Sequence, residues 1–526
     1  MQRTTCGNPN PKSKVSAHLW RGERLGLIKS QVQPLLRAPT PSKYHFLKVA
    51  LVHYHLRTGG VTKVVSNQSE ALTQLGVEHL VLSAGPEPEN IPHAHVPQLD
   101  YLSAPSDTSP QLHPLLLAKF IDHFGCAPDL WHIHNPTLGK SALFPQLIQD
   151  IAESQTPLIL QPHDFAEDNR PSNYPRLLGD KLYPLAPQIH YAFINSRDKG
   201  LLQNAGLPSP QSHLLPNAVA LPSATSSTPP TPAPTAEREK RLVLYPVRGI
   251  RRKNLGEFVL LAALAPPQTR FAVSLAPENE QWQAQHDRWR DFAREKQLPI
   301  QFDVTNQVDP SPRSGNDYLS WITQATHLAT TSIAEGFGLA FLEPILHRRP
   351  LLGRDLPEIT TDFRKQGIPL TNLYQKIPIP ATALNLDKLR QTLREQLTES
   401  YRQYGATITE KDVERAWQQL FSDGEIDFGS LPEPFQEKVI QDALSAKADY
   451  LQPLRDWLKE ALAVSEPALK PEALSSYSIA QSQHDLASLY QVAHSATAKA
   501  PTWLPKEKVL AQYLSPERFH FLIPMN

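Results

Sequence analysis

The run Ala334-Glu335-Gly336-Phe337-Gly338-Leu339-Ala340-Phe341-Leu342-Glu343 sets one carboxylate at a glycine-rich turn and a second one eight residues later in an expected helix. Eight helical steps of ~100° end roughly 80° past two full turns, so the two carboxylates can border one pocket. Glycines at a helix start let backbone N–H groups come close to a ligand, and that end of a helix favours anions. Carboxylates beside it can accept hydrogen bonds from sugar or ribose hydroxyls. A capped amphipathic helix with no site accounts for the same residues equally well. A second group, Arg248-Gly249-Ile250-Arg251-Arg252-Lys253-Asn254, places four cations around a glycine between an apolar run and a helical one. Arginine forks, a lysine point charge and the helix dipole together suit a diphosphate; a solvated basic loop is the alternative.

A third group lies in the first half: Arg57-Thr58-Gly59-Gly60 at a strand-to-helix turn, His132 and His134 two apart on one strand face, and His163-Asp164 at a strand end. No third and fourth ligand at recognisable spacing accompanies the histidines, so no metal site is expected. No Gly-x-Gly-x-x-Gly opens the first strand-turn-helix, and neither a P-loop nor a Gly-x-Ser-x-Gly elbow occurs. This argues against nicotinamide enzymes, P-loop NTPases and α/β-hydrolases. Asp423, Glu425 and Asp427 form a close acidic run, read as a solvated loop.

These groups need elements to hold them. Short apolar runs at 47–52, 79–83, 130–134, 157–161 and 190–194 are mostly separated by stretches long enough for a helix. That rhythm predicts parallel crossovers and an open α/β sheet. The helix after Gly59-Gly60 carries Val61, Val64, Val65, Ala71, Leu72 and Leu75, with Gly76 placed to stop it. A Pro-rich stretch at 221–238 can neither pack a core nor donate a regular ladder and reads as a linker. The rhythm then restarts, with strands expected at 241–247, 271–275, 300–304 and 328–332 and helices at 255–265, 280–296 and from 338. Beyond 385 the pattern is mainly helical, at 386–404, 410–421, 434–446 and 450–464. Two α/β domains with a cleft between them follow, and ligands of such sheets bind beyond the carboxyl ends of the strands.

With 526 residues the chain has room for two or three domains. Lys and Arg (52) balance Asp and Glu (52), which disfavours nucleic-acid binding by bulk electrostatics. No apolar run reaches the roughly 18 residues of a membrane span, so no transmembrane segment is expected. Two cysteines, Cys6 and Cys126, cannot build a disulfide framework, which fits a reducing compartment and a cytoplasmic location. The first 45 residues carry Arg3, Lys12, Lys14, Arg21, Arg24, Lys29, Arg37 and Lys43 against Glu23 alone. They read as a basic, disordered tail, with a transit peptide or peripheral contact with anionic lipid as alternatives.

Taken in order, these segments resemble a GT-B fold glycosyltransferase of the family 4 type, over about 47–357 and again at 477–490. Glu335 and Glu343 match that family's paired glutamates with seven residues between them, followed by Leu356-Pro357-Glu358-Ile359; Arg248 and Lys253 match its Arg and Lys. Gly59-Gly60-Val61, Asp129-Leu-Trp-His-Ile-His-Asn135, His163, Asn195-Ser196 and Leu215-Pro216-Asn217-Ala218-Val219 agree in the first domain. Arg349 departs from the small residue usual before Pro350, and 406–470 is longer and more helical than the family's equivalent.

The resemblance implies an α/β fold of two Rossmann-like parallel-sheet domains facing a cleft, with additional C-terminal helices. Its segments would be a tail (1–45), an N-terminal acceptor-side domain (46–220), the linker (221–238), a nucleotide-sugar-binding domain (239–404), a helical insertion (405–470), a closing helix (471–496) and a tail (497–526). It also implies a retaining transferase that moves a sugar from a nucleoside diphosphate sugar to a hydroxyl acceptor (a saccharide, a small polyol or a lipid-linked sugar), with no metal and no cofactor. His163, Arg248, Lys253 and Glu335 would be catalytic. Gly59, Gly60, Arg248, Lys253, Gly336, Phe337, Gly338, Leu339 and Glu343 would bind the donor. A nucleotide-sugar epimerase and a noncatalytic scaffold of the same fold are the competing readings.

Overall fold

The computed structural model describes residues 47–86, 90–102, 104, 111–221, 241–305, 318–466 and 469–523. The expected basic tail and all of the expected linker beyond Leu221 lie outside them.

The first half alternates strands and helices: β1 (Lys48–Val52), α1 (Gly60–Leu75), β2 (Glu78–Ser83), β3 (His93–His95), α2 (Leu112–Phe124), β4 (Leu130–His134), α3 (Phe144–Glu153), β5 (Leu158–Gln161), β6 (Tyr183–Leu185), β7 (Ile189–Phe193), α4 (Ser196–Ala205) and β8 (Ser212–Leu214). Seven of these strands form one parallel sheet in the order β3-β2-β1-β4-β5-β7-β8. Apolar clusters cover both of its faces, which is why β1, β4 and β7 are nearly continuous runs of buried side chains.

The pattern repeats after residue 241, with β9 (Arg241–Arg248), α5 (Leu255–Leu264), β10 (Thr269–Leu275), α6 (Glu280–Glu295), β11 (Ile300–Gln301), α7 (Tyr318–Gln324), β12 (His327–Thr330), α8 (Leu339–Leu346), β13 (Leu351–Arg354), α9 (Pro357–Lys365) and β14 (Leu373–Tyr374). Its parallel sheet runs β11-β10-β9-β12-β13-β14. The strand order reverses between β1 and β4 in one sheet and between β9 and β12 in the other. Loops that leave the carboxyl ends of such strands part to opposite sides and open a crevice. Both halves are therefore Rossmann-like, and the expected chemistry falls on the loops after β1, β5, β9 and β12.

The remaining elements are β15 (Pro378–Pro380), α10 (Leu386–Gln403), α11 (Glu410–Leu420), β16 (Phe421–Ser422), β17 (Glu425–Asp427), α12 (Glu433–Leu444), α13 (Gln452–Ala461), α14 (Ile479–Ser495), β18 (Thr502–Leu504) and α15 (Lys506–Tyr513). Three differences from the sequence reading follow. The stretch at 405–470 is not purely helical, because β16 and β17 form an antiparallel sheet with β15. Asp427 is not in a solvated loop: Arg354 Nη1 donates to its Oδ2 at 2.7 Å and Arg354 Nη2 to buried Glu257 Oε2 at 2.6 Å. Of the expected tail at 497–526, the described residues 497–523 are packed: β18 pairs antiparallel with β6, α15 packs on α4, and Leu504, Val509, Tyr513, Phe521 and Leu522 are buried. Among the described residues no helix is long and apolar enough to cross a membrane.

Candidate active site

The loop after β9 turns Lys253 inward. Arg251–Lys253 form a 3-10 turn, and Asn254 adopts a left-handed φ of 50°. The Lys253 carbonyl accepts from Tyr245 Oη at 3.1 Å and from Thr331 Oγ1 at 3.0 Å, tying the loop to the strand it leaves and to the end of β12. Gly249 is required by packing, since a Cβ there would sit 2.1 Å from His286 Nδ1. Lys253 Nζ donates to Glu335 Oε1, and Arg252 Nη1 donates to Glu335 Oε2 at 3.0 Å and to the Ala334 carbonyl at 2.7 Å. Burial pushes the Glu335 carboxyl up, but the Lys253 and Arg252 cations prevail and bring its pKa down to about 2. Burial takes Lys253 down to about 8 against the pull of Glu335. The arrangement is a desolvated carboxylate clamped by two cations, with lone pairs left for ligand hydroxyls.

Arg248 does not join this cluster. Its side chain is 47% exposed and pairs with Glu278 at 2.6 Å, whereas Arg252 is the arginine set beside Glu335. The helical arithmetic for Glu335 and Glu343 also fails, because α8 begins only at Leu339 and Glu335 belongs to the preceding turn. The two glutamates are linked instead through Lys253, whose ammonium lies in the field of both. Glu343 Oε1 accepts from Tyr318 Oη at 2.5 Å, and burial raises its pKa. Tyr318 stands at the start of α7, and no motif in the sequence singled it out.

In the Gly336-Phe337-Gly338-Leu339 turn, Gly338 has a φ of 88°, and a Cβ there would approach Ile359 Cγ2 to 2.6 Å, so glycine is obligatory. Gly336 is different: nothing lies closer to its Cβ position than the His163 carbonyl at 3.8 Å. The Phe337 ring packs against Phe363 and Tyr477, so only its backbone is free to meet a donor. Leu339 is half exposed at the first turn of α8. In the loop after β1 Gly59 has an extended φ of 174°, and Gly60 has open space around its Cβ position, so neither glycine is demanded by the fold itself.

His163 is buried, and burial lowers its pKa to about 4 despite Asp164. Its Nε2 lies 3.2 Å from His134 Nδ1, and the two rings stack. His134 stacks in turn on His132, whose Nε2 is 2.9 Å from Gln161 Oε1 and whose Nδ1 is 2.7 Å from Tyr490 Oη. An amide oxygen can only accept, so His132 carries its proton on Nε2 and Tyr490 donates to Nδ1. The histidines are thus a buried rail between α14 and the cavity, and among the described residues no group of three or more His, Cys, Asp or Glu is placed to hold a metal.

His163, Asp164, Arg170, Arg252, Glu335 and Gly336 line a cavity of about 490 Å³ between the halves, closed further by α11 and by residues 517–523. Glu343, Lys253, Arg248, Gly59 and Gly60 lie outside that lining. The halves meet directly beside it: Asn195 Nδ2 donates to the Gly336 carbonyl at 2.9 Å, and Tyr404 Oη donates to the Ala166 carbonyl at 2.8 Å.

Residues 58–221 match the family model described as Glycosyltransferase Family 4. Mannosylglucosyl-3-phosphoglycerate synthase of Petrotoga mobilis is 27% identical over 427 residues, 74% of this chain and 80% of that protein. Among solved structures, HepE of Anabaena in complex with UDP and glucose aligns with a TM-score of 0.46 at 13% identity, over 85% of this chain and 99% of that one. Sucrose-phosphate synthase of Thermosynechococcus elongatus aligns with a TM-score of 0.43 at 15% identity, over 84% and 98%. The family match in the first half, the relative that aligns over 74% of the chain and two Rossmann-like halves beside a charged cavity agree: the chain is a glycosyltransferase with the GT-B fold, and its first half is similar to Glycosyltransferase Family 4.

Proposed function

We propose that the enzyme transfers a sugar from a nucleoside diphosphate sugar to a saccharide hydroxyl, with retention of configuration and without a bound metal or cofactor. The observation that carries this reading is the Glu335 carboxylate clamped by Lys253 and Arg252 at the turn into α8. The acceptor oxygen would form its bond to the anomeric carbon as the bond from that carbon to the β-phosphate oxygen breaks. The electron pair goes to the diphosphate, which also takes the acceptor proton, so no side-chain nucleophile is needed. Lys253, Arg252 and the Gly336–Leu339 backbone oppose the charge that develops on the diphosphate. Glu335 accepts from donor sugar hydroxyls, neutral His163 sits at the reacting carbon, and Glu343 takes the ribose. The Petrotoga relative is named for a product with mannosyl, glucosyl and 3-phosphoglycerate groups, which supports a saccharide acceptor. Two cysteines in 526 residues support a cytoplasmic site of action.

Incubation with UDP-, GDP- and ADP-sugars, with and without saccharide acceptors and with excess chelator, tests this. Product should require acceptor, keep the donor's anomeric configuration and form at an undiminished rate in chelator. Conversion of the donor without acceptor would replace the reading by epimerisation, and activity lost in chelator and restored by Mg²⁺ would overturn metal independence.

Tyr318 gives a narrower test of the ribose assignment. Losing a hydrogen bond to a charged group costs about 1.5–3 kcal/mol, some of which water recovers at this half-buried site. Tyr318→Phe should weaken nucleoside diphosphate binding roughly tenfold by calorimetry while turnover at saturating donor stays within about twofold. Unchanged nucleotide affinity would remove Glu343 from the ribose.

A further inference from the structure

The C-terminal segment crosses the cleft. Leu504, Val509 and Tyr513 belong to the core of the first half, whereas Phe521 belongs to that of the second. Between them the chain is pinned to the second half. Tyr401 Oη donates to the Leu514 carbonyl, and Arg415 on α11 grips Glu517 with Nε at 2.6 Å and Nη2 at 2.9 Å. Residues 517–523 consequently line the same cavity as Arg252, Glu335 and His163, whereas Lys253 and Glu343 lie outside its lining.

One cation in that segment is under-used. The other arginines lining the cavity are engaged: Arg170 with Asp164 at 2.5 Å, Arg197 with Asp198 at 2.9 Å, Arg251 with Glu433 at 2.7 Å and Arg252 with Glu335 at 3.0 Å. Arg518 donates only Nη1, at 3.1 Å, to Glu358, a carboxylate whose side chain is 57% exposed. Its Nε is buried with no partner. A guanidinium has five N–H donors in a planar fork that matches the two oxygens of a carboxylate or phosphoryl group, and a buried donor left unmatched costs free energy until something fills it.

We infer that Arg518 recognises the acceptor by binding an anionic oxygen group on it, a carboxylate or a phosphoryl. This rests on the transferase reading above, in which the cavity admits an acceptor beside the donor. The test uses the full chain saturated with UDP or GDP, so that the donor's phosphate site is filled. Calorimetry then compares 3-phosphoglycerate, glycerol 3-phosphate, glycerate and glycerol, which share one carbon skeleton. At least one anion should bind ten times more tightly than glycerol, glycerate and glycerol 3-phosphate telling carboxylate from phosphoryl recognition. Arg518→Ala should remove that preference while leaving UDP and GDP affinity within about twofold. Glu358→Gln, which releases Arg518 from its carboxylate, should tighten anion binding at least twofold and keeps the test readable if Arg518→Ala folds poorly. Anions bound no better than glycerol, or equal anion binding in Arg518→Ala or in Glu358→Gln and the wild type, would overturn the assignment. A wild type that binds neither UDP nor GDP would instead defeat the transferase reading, and the Arg518 comparison would still be measurable.

Discussion

Lys253→Ala should lower turnover by at least ~10²-fold per folded enzyme, and Arg248→Ala by roughly tenfold or less. Removing one preorganised charge from a developing anion typically costs about 3 kcal/mol, or about two decades in rate. Lys253 is buried and shares its partner with Arg252, so its charge acts in a medium of low effective dielectric. Arg248, 47% exposed and held by an even more exposed Glu278, acts through screened water. Lys253→Ala also leaves Glu335 with Arg252 alone. Breaking a buried pair by deleting one partner usually costs about 3–5 kcal/mol of stability, so a drop in the unfolding midpoint should accompany the loss of rate. Steady-state rates and thermal unfolding of both variants check this. Near-normal turnover in Lys253→Ala would remove the clamp from the mechanism, and an equal loss in Arg248→Ala would mean that Arg248 swings in when the donor binds.

The parallel strands and the loops that follow them were legible because burial on both faces forces short apolar runs, and crossovers force the spacing between them. Leu130–His134 appears as expected, and Arg241–Val247 falls one residue short of the observed strand. The cations and carboxylates of the site were legible by type, but their pairing was not. Arg251, Arg252 and Lys253 are adjacent, and only the 3-10 turn ending in a left-handed Asn254 decides which of them points inward. Spacing likewise cannot say that Arg248 finds Glu278 first. The C-terminal strap was missed for a different reason. A three-residue strand, an eight-residue helix and a 3-10 turn are each too short to carry a period. Their stability comes from contacts with residues far away in sequence, such as Lys506 Nζ donating to the Gly179 carbonyl at 2.8 Å and Arg415 Nε donating to Glu517 Oε1 at 2.6 Å. Asp427 is similar: an acidic run looks solvated until Arg354 and Glu257 arrive from other elements.

Truncation after Leu474 should abolish soluble, active enzyme. The helix α14 leaves the second half, where the Tyr477 ring packs with Phe337 and Phe363, and lays Leu486, Leu489, Tyr490 and Ala493 into the core against α1 and β1. Fully burying a large apolar side chain is worth about 1.5–3 kcal/mol, so Leu486, Leu489 and Tyr490 alone rival a domain's usual net stability of roughly 5–15 kcal/mol. Truncation also takes away the Tyr490 hydroxyl that holds His132, and with it the far end of the stack that leads to His163. Two steps separate the stability effect from the positional one. Tyr490→Phe keeps the ring and deletes only the hydroxyl; it should leave the unfolding midpoint within a few degrees and lower turnover roughly three- to tenfold, with nucleotide affinity unchanged. A chain cut after Leu474 that remains folded and fully active would show α14 to be a separate appendage. If Tyr490→Phe turned over as fast as the wild type, α14 would hold the hinge by packing alone, and the histidine rail would be no more than core.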